Sequence, residues 1–173
     1  MGLDMYLTGK KYFGGRYNEK EEFVELKRKA PWEKREEVLK FNVKDIDSII
    51  IDFGYWRKAN AIHKWFVDHC WDGKYEDYHG EEISVEKKQL EELRDLCINV
   101  KAEILKKKTF ATKKKVIDKM LPMQDGFFFG YRNDEEGIEY YIDDLTETIK
   151  IVDEAIKKMH LYNVCELYYS ASW

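Results

Sequence analysis

An α+β fold is predicted: a small, mainly antiparallel sheet of N-terminal, central and C-terminal strands, covered by three or more helices. Three observations predict it. Leu3, Met5 and Leu7 alternate with Asp4, Tyr6 and Thr8, and Leu167, Tyr169 and Ala171 alternate with Tyr168, Ser170 and Ser172, the two-residue period of half-buried strands. Two long stretches instead repeat apolar residues at three and four, the period of a helix with one buried face. Only two prolines, Pro31 and Pro122, interrupt 173 residues, which suits long helices.

The first strand runs from Leu3 toward Phe13 and is broken by Gly14-Gly15. Glu19 to Leu39 then carries seven Glu and six Lys or Arg around scattered apolar points. It reads as a charge-dense, partly helical surface excursion over about residues 16–42 of a single domain, 1–173, and as the segment best suited to be a lid or insertion. Asp45 to Tyr55, with its β-branched run Ile49-Ile50-Ile51, is a central strand with Asp47, Ile49, Ile51, Phe53 and Tyr55 on one face. From Arg57 to about Cys70, Ala59, Ile62, Phe66 and Cys70 form a helical stripe.

Trp71 to Ile83 is a loop, and Ser84 is expected to cap a long helix whose inner face is Leu90, Leu93, Cys97, Val100 and Ile104. Six lysines within 106–115 read as a solvated junction before a short helix through Leu121. Gly126-Phe127-Phe128-Phe129-Gly130 is a short aromatic strand or tight loop. Ile138, Ile142, Leu145, Ile149, Val152, Ile156 and Met159 mark the last helix, and Asn163 can end it in the left-handed conformation. Beside that stripe, Glu139, Asp143 and Glu147 read as a solvated acidic face.

Composition narrows the function classes. Apolar residues at 44% suffice for a core, and charged residues at 37% keep the surface wet. No apolar run reaches the length of a membrane span, and the start lacks the pattern of a signal peptide, so a cytoplasmic protein without membrane attachment is expected. A net charge of −4 argues against general nucleic-acid binding. Cys70, Cys97 and Cys165 lack paired spacing and read as reduced thiols.

The block Tyr55-Trp56-Arg57-Lys58-Ala59-Asn60-Ala61-Ile62-His63-Lys64-Trp65-Phe66-Val67 stands with Met-Gly-Leu-Asp-Met-Tyr-Leu at 1–7, Gly-Phe-Phe-Phe-Gly at 126–130 and Tyr-x-Ser-x-Trp at 169–173. In these motifs the whole chain resembles a group of small, uncharacterised proteins encoded by bacteriophages and prophages. The resemblance implies a phage or prophage origin, and so the cytoplasm of a host cell. It implies no activity. Members usually carry Ser where this chain has Tyr131, and some have Asp-Cys in place of Asp77-Tyr78.

The same block carries the candidate chemistry. With a helix starting near Arg57, Trp56, Asn60 and His63 share one stripe. Arg57 and Lys58 then occupy a first turn where cations are disfavoured, and an anionic ligand is the natural compensation. Arg offers a bidentate fork to phosphate or carboxylate. Tyr55 and Trp56 offer stacking faces, Asn60 a hydrogen-bonding edge, and His63 a donor or a candidate catalytic acid or base. Tyr169 and Ser170, from the C-terminal strand, are expected in the same wall. Ordinary burial of Trp56 and His63 is the competing explanation.

Three functions compete. The first is binding of a small anionic, nucleotide-like ligand, with sequestration of a host defence signal as the role. The second is a small phosphodiesterase or lyase using His63. The third is an inhibitor that docks on a host protein through the charged excursion. A homo-oligomer is compatible with each. No cofactor is expected. A metal site at His69 and His79 with Asp72, Glu76 and Asp77 is the weaker alternative to none, since paired ligand motifs are missing.

Overall fold

The computed structural model describes residues 2–13, 23–28, 37–73, 78–124, 132–164 and 166–173. The architecture is α+β, as the sequence predicts. Strands β1 (Asp4–Tyr12), β4 (Ser48–Arg57), β5 (Ile83–Val85) and β6 (Glu166–Ser172) form one antiparallel sheet in the order β4-β1-β6-β5. Strands β2 (Phe23–Arg28) and β3 (Glu37–Asn42) form a separate two-stranded ribbon. The helices are α1 (Asn60–Cys70), α2 (Lys87–Leu105), α3 (Phe110–Met120) and α4 (Glu135–Tyr162). Among the described residues no helix is long and apolar enough to cross a membrane.

The chain divides into two compact units, residues 1–9 with 52–173, and residues 10–51. In the larger unit, Leu3, Met5 and Leu7 of β1 and Leu167, Tyr169 and Ala171 of β6 point inward, as their alternation predicts. Ile62 and Phe66 of α1 and Leu90, Leu93, Cys97, Val100 and Ile104 of α2 join that core. Each large apolar side chain so buried contributes roughly 1.5–3 kcal/mol before entropy is charged against it. The Cys97 thiol, held in this apolar interior, has its pKa pushed up to about 12 and stays protonated. Asn163 ends α4 in the left-handed conformation, φ 50°, as expected.

Several expectations need correction. Of the charge-dense excursion, expected to be partly helical, the structure describes residues 23–28 and 37–42, and these form the β2–β3 ribbon, paired from Phe23 opposite Asn42 to Arg28 opposite Glu37. Charged residues at successive positions hid the two-residue period there. Ser84 is no cap but lies within β5; Glu86 is the N-cap of α2, in a reciprocal capping box with Gln89. Lysines 113–115 do not lie in a junction but inside α3, which Thr109 caps. The alternating face assigned to the central strand also fails, since Ile49 and Tyr55 are exposed while Phe53 and Trp56, three apart, are buried. Gly126–Gly130 lies outside the described residues.

The largest correction concerns β4. It continues through Arg57 because its last turn of pairing persists: the Lys58 N–H donates to the Leu3 carbonyl at 2.7 Å. The helix therefore starts at Asn60, not near Arg57. Gly54 permits this arrangement, since a Cβ there would collide with Ile151 of α4. β4 thus runs hard against the middle of α4.

Candidate functional site

Strand geometry, not helix geometry, decides what Tyr55 to Arg57 do. Successive side chains alternate. Tyr55 faces outward, its hydroxyl donating to the Asp4 carboxylate and its ring 5.4 Å from Tyr6. Trp56 faces inward and is 3% exposed. Its ring packs edge-on to Phe66 at 5.7 Å, and its Nε1–H donates to Thr148 Oγ1 at 3.0 Å. Trp56 is therefore core, and no face of it is left for a ligand.

His63 belongs to the core as well. It is 1% exposed, with Nδ1 hydrogen-bonded to the Tyr169 hydroxyl at 2.7 Å and with the rings of Tyr78 and Trp173 each 5.6 Å away. Desolvation lowers its pKa to about 4, only slightly opposed by Asp68, so it is neutral at pH 7. Tyr169 is fully buried and stacked on Phe66 at 4.1 Å. Trp56, His63 and Tyr169 thus fill the interior, and Ser170 is half-buried on β6 beside them.

Arg57, Lys58 and Asn60 have a different fate. They line a cavity of about 430 Å³, with Met123, Arg132, Gly137, Tyr140, Tyr141 and Asp144 completing the wall. Arg57 and Lys58 are exposed, and neither makes an ion pair among the described residues. Lys58 sits at φ +59°, the left-handed region that a non-glycine residue adopts at a cost of roughly 1–2 kcal/mol. The strained corner turns the chain from β4 into α1 within two residues. Asn60 Oδ1 accepts the Gln124 backbone N–H at 3.0 Å, tying the segment after α3 to the start of α1.

The remaining wall comes from the first turns of α4. Gly137, Tyr140, Tyr141 and Asp144 recur at three and four, on one helical face. Gly137 is required, because a Cβ there would overlap the Arg132 carbonyl. Arg132 is largely balanced by Asp134 at 2.9 Å and Glu136 at 2.6 Å, and its guanidinium lies 5.7 Å from the centre of the Tyr140 ring. The uncompensated positive charge of the cavity is therefore that of Arg57 and Lys58. The Tyr141 hydroxyl donates to the Leu121 carbonyl at 2.7 Å, fixing the floor.

Asp144 is half-buried, and burial, reinforced by the neighbouring Asp143 charge, pushes its pKa up to about 7. In the sequence it is one of many acids between Asp134 and Glu147. Glu139, Asp143 and Glu147 are indeed exposed, but Asp144 is rotated off that face by one residue. The buried stripe of α4 is likewise offset from its aliphatic reading. Tyr141 and Thr148 join Ile138, Leu145, Val152 and Ala155 inside, while Ile142, Ile149, Ile156 and Met159 are half-buried. The available signal was a Tyr and a Thr at stripe spacing, each able to bond inward.

Of the candidate metal ligands that can be placed, His69 stacks on Trp65 at 4.8 Å with Nδ1 2.9 Å from the Trp65 carbonyl, the His79 backbone N–H donates to the Glu81 carboxylate at 2.8 Å, and Asp72 is exposed. Glu76 and Asp77 lie outside the described residues, and among the described residues no group of three His, Cys, Asp or Glu side chains could hold a metal ion. Comparison with protein families, with curated proteins and with solved structures finds no match.

Proposed function

We propose that this chain is a phage-encoded binding protein that takes a small anionic, nucleotide-like ligand into the cavity beside Arg57 and sequesters a host defence signal in the host cytoplasm. One observation carries the reading: Arg57 and Lys58, without an ion-pair partner among the described residues, converge on a cavity of about 430 Å³. Pockets for small molecules commonly span roughly 300–1,000 Å³. Arg57 supplies a fork for two phosphate oxygens and Lys58 a point charge. Tyr140, exposed along the same wall, offers a ring face to a planar base. The phage origin rests on the sequence motifs and the sequestering role on that origin.

Binding is favoured over turnover, because His63 is not among the residues that line the cavity. The test is calorimetric titration and thermal shift with mononucleotides, cyclic nucleotides and inorganic phosphate. Ligand at a hundred times its Kd stabilises the fold by about 2.7 kcal/mol. Arg57→Ala should weaken binding at least tenfold without lowering Tm. The reading is overturned if no anion binds, or if Arg57→Ala binds as the wild type does.

A second reading, an inhibitor that docks on a host protein, draws on the β2–β3 ribbon. Phe23 and Val38 are both 51% exposed and Phe41 42%. The register places Phe23 and Phe41 on opposite faces, so both faces carry apolar surface. Capture of a host protein that persists in Phe23→Ser/Phe41→Ser would dispose of it.

A further inference from the structure

The Asp144 carboxyl is left half-buried in the cavity with no hydrogen bond or ion pair to a described residue. Its neighbours show how unusual that is. Asp134 accepts the Gly137 N–H at 2.7 Å and pairs with Arg132, and Glu136 pairs with Arg132 and accepts from Tyr140, so both carboxyls are held below the usual range. Asp144 receives no such support, and a partly buried polar group without partners calls for one. Nor is its position loose. Its carbonyl accepts the Thr148 hydroxyl at 2.7 Å, and the same hydroxyl accepts from Trp56, the residue before Arg57. Asp144 is thereby anchored next to the end of β4. It lies two turns along α4 from Gly137, about 10 Å at 1.5 Å per residue. The cavity therefore pairs a fixed acceptor with a cationic corner.

We infer that Asp144 selects the base of the ligand, receiving an edge with two adjacent N–H donors of the guanine type while Arg57 and Lys58 hold the phosphate. This rests on the anion-binding reading above. The two carboxylate oxygens accept two parallel N–H bonds, and such bonds favour the ionised form that burial penalises. The ligand thus supplies what the protein withholds. Adenine and cytosine edges alternate donor and acceptor, so one carboxylate oxygen would meet a lone pair. An Asn at 144 alternates in the same way and reverses the preference at nearly unchanged volume.

The test is calorimetry with GMP, IMP, AMP and inorganic phosphate on the wild type, Asp144→Asn and Arg57→Ala. The wild type should prefer GMP to AMP at least tenfold, with IMP, which lacks the 2-amino donor, between them. In Asp144→Asn the GMP to AMP ratio should fall to near one or invert, while phosphate binding is retained. A wild type that prefers AMP, or binds all three nucleotides alike, overturns the inference without any variant. So does an unchanged ratio in Asp144→Asn when Arg57→Ala abolishes binding, which leaves the anion-binding reading intact. Binding indifferent to Arg57→Ala, or no binding at all, removes both.

Discussion

The aromatic nest around His63 and the cavity around Asp144 both hold a titratable side chain partly or wholly away from water, yet they call for opposite interpretations. His63 is enclosed by Tyr78, Tyr169 and Trp173, is bonded to Tyr169, and is kept neutral by burial. Its polar demand is met within the fold, so it is a structural group. Asp144 is also shifted toward its neutral form, but open space lies before it and two cations without an ion pair among the described residues, Arg57 and Lys58, share the same walls. A perturbed ionisation is therefore no signature of function by itself. What separates the two regions is whether the group already has a partner and whether there is room to bring one in.

The sharpest way to break that contrast is at adjacent residues. Trp56→Ala removes a buried ring and leaves the Thr148 hydroxyl without its donor, so it should cost about 3–5 kcal/mol in urea unfolding. Arg57→Ala should change stability by less than about 0.5 kcal/mol and act on binding alone. A binding loss without a stability loss in Trp56→Ala would place that ring at the ligand after all.

The next effect is on pH. His63 has a folded pKa near 4 against an ordinary value of 6.5. The unfolded chain binds the extra proton between those values. Stability should be full above pH 6.5 and fall as pH drops toward 4, by up to about 3 kcal/mol from this group. Urea unfolding between pH 7 and 4.5 should show a steeper loss in the wild type than in His63→Gln. Equal slopes would mean that the imidazole is wet and protonates in the native state.

A smaller effect of opposite sign is expected in the cavity. Lys58→Gly relieves the left-handed strain, up to about 1 kcal/mol of it surviving the added freedom of glycine in the unfolded chain. It also deletes a cation. Stability should rise while anion affinity falls, whereas Lys58→Ala should lower affinity with no gain in Tm. Were both variants to bind as well as the wild type, the strained corner would be a turn and nothing more.

The candidate site was half legible. Arg57, Lys58 and Asn60 stood out as a cationic and amide group in one short block, and all three line the cavity. Trp56 and His63 do not, because a single helical stripe through the block overlooks that Tyr55 to Arg57 are strand, and Tyr169 does not because it fills the core. Arg132, Tyr140 and Asp144 were missed because they are some 75 to 90 residues further along the chain and look like ordinary solvated polar positions.

Local periodicity determined the α+β class, the inner face of α2, the inward residues of β1 and β6 and the left-handed end of α4. The first three follow from short-range spacing of apolar side chains, which no distant partner can alter without exposing them, and the last from the tolerance of Asn163 for the left-handed conformation. Only the tertiary structure decided where β4 stops, because pairing between Lys58 and Leu3 outweighed the helical spacing that begins at Arg57. Only it decided which polar residues lose their water: Thr148 by meeting Trp56, and Asp144 by facing the corner that Trp56 anchors. A polar side chain carries no mark of its burial in the sequence, since the cost of removing it from water depends on a partner brought in from elsewhere in the chain.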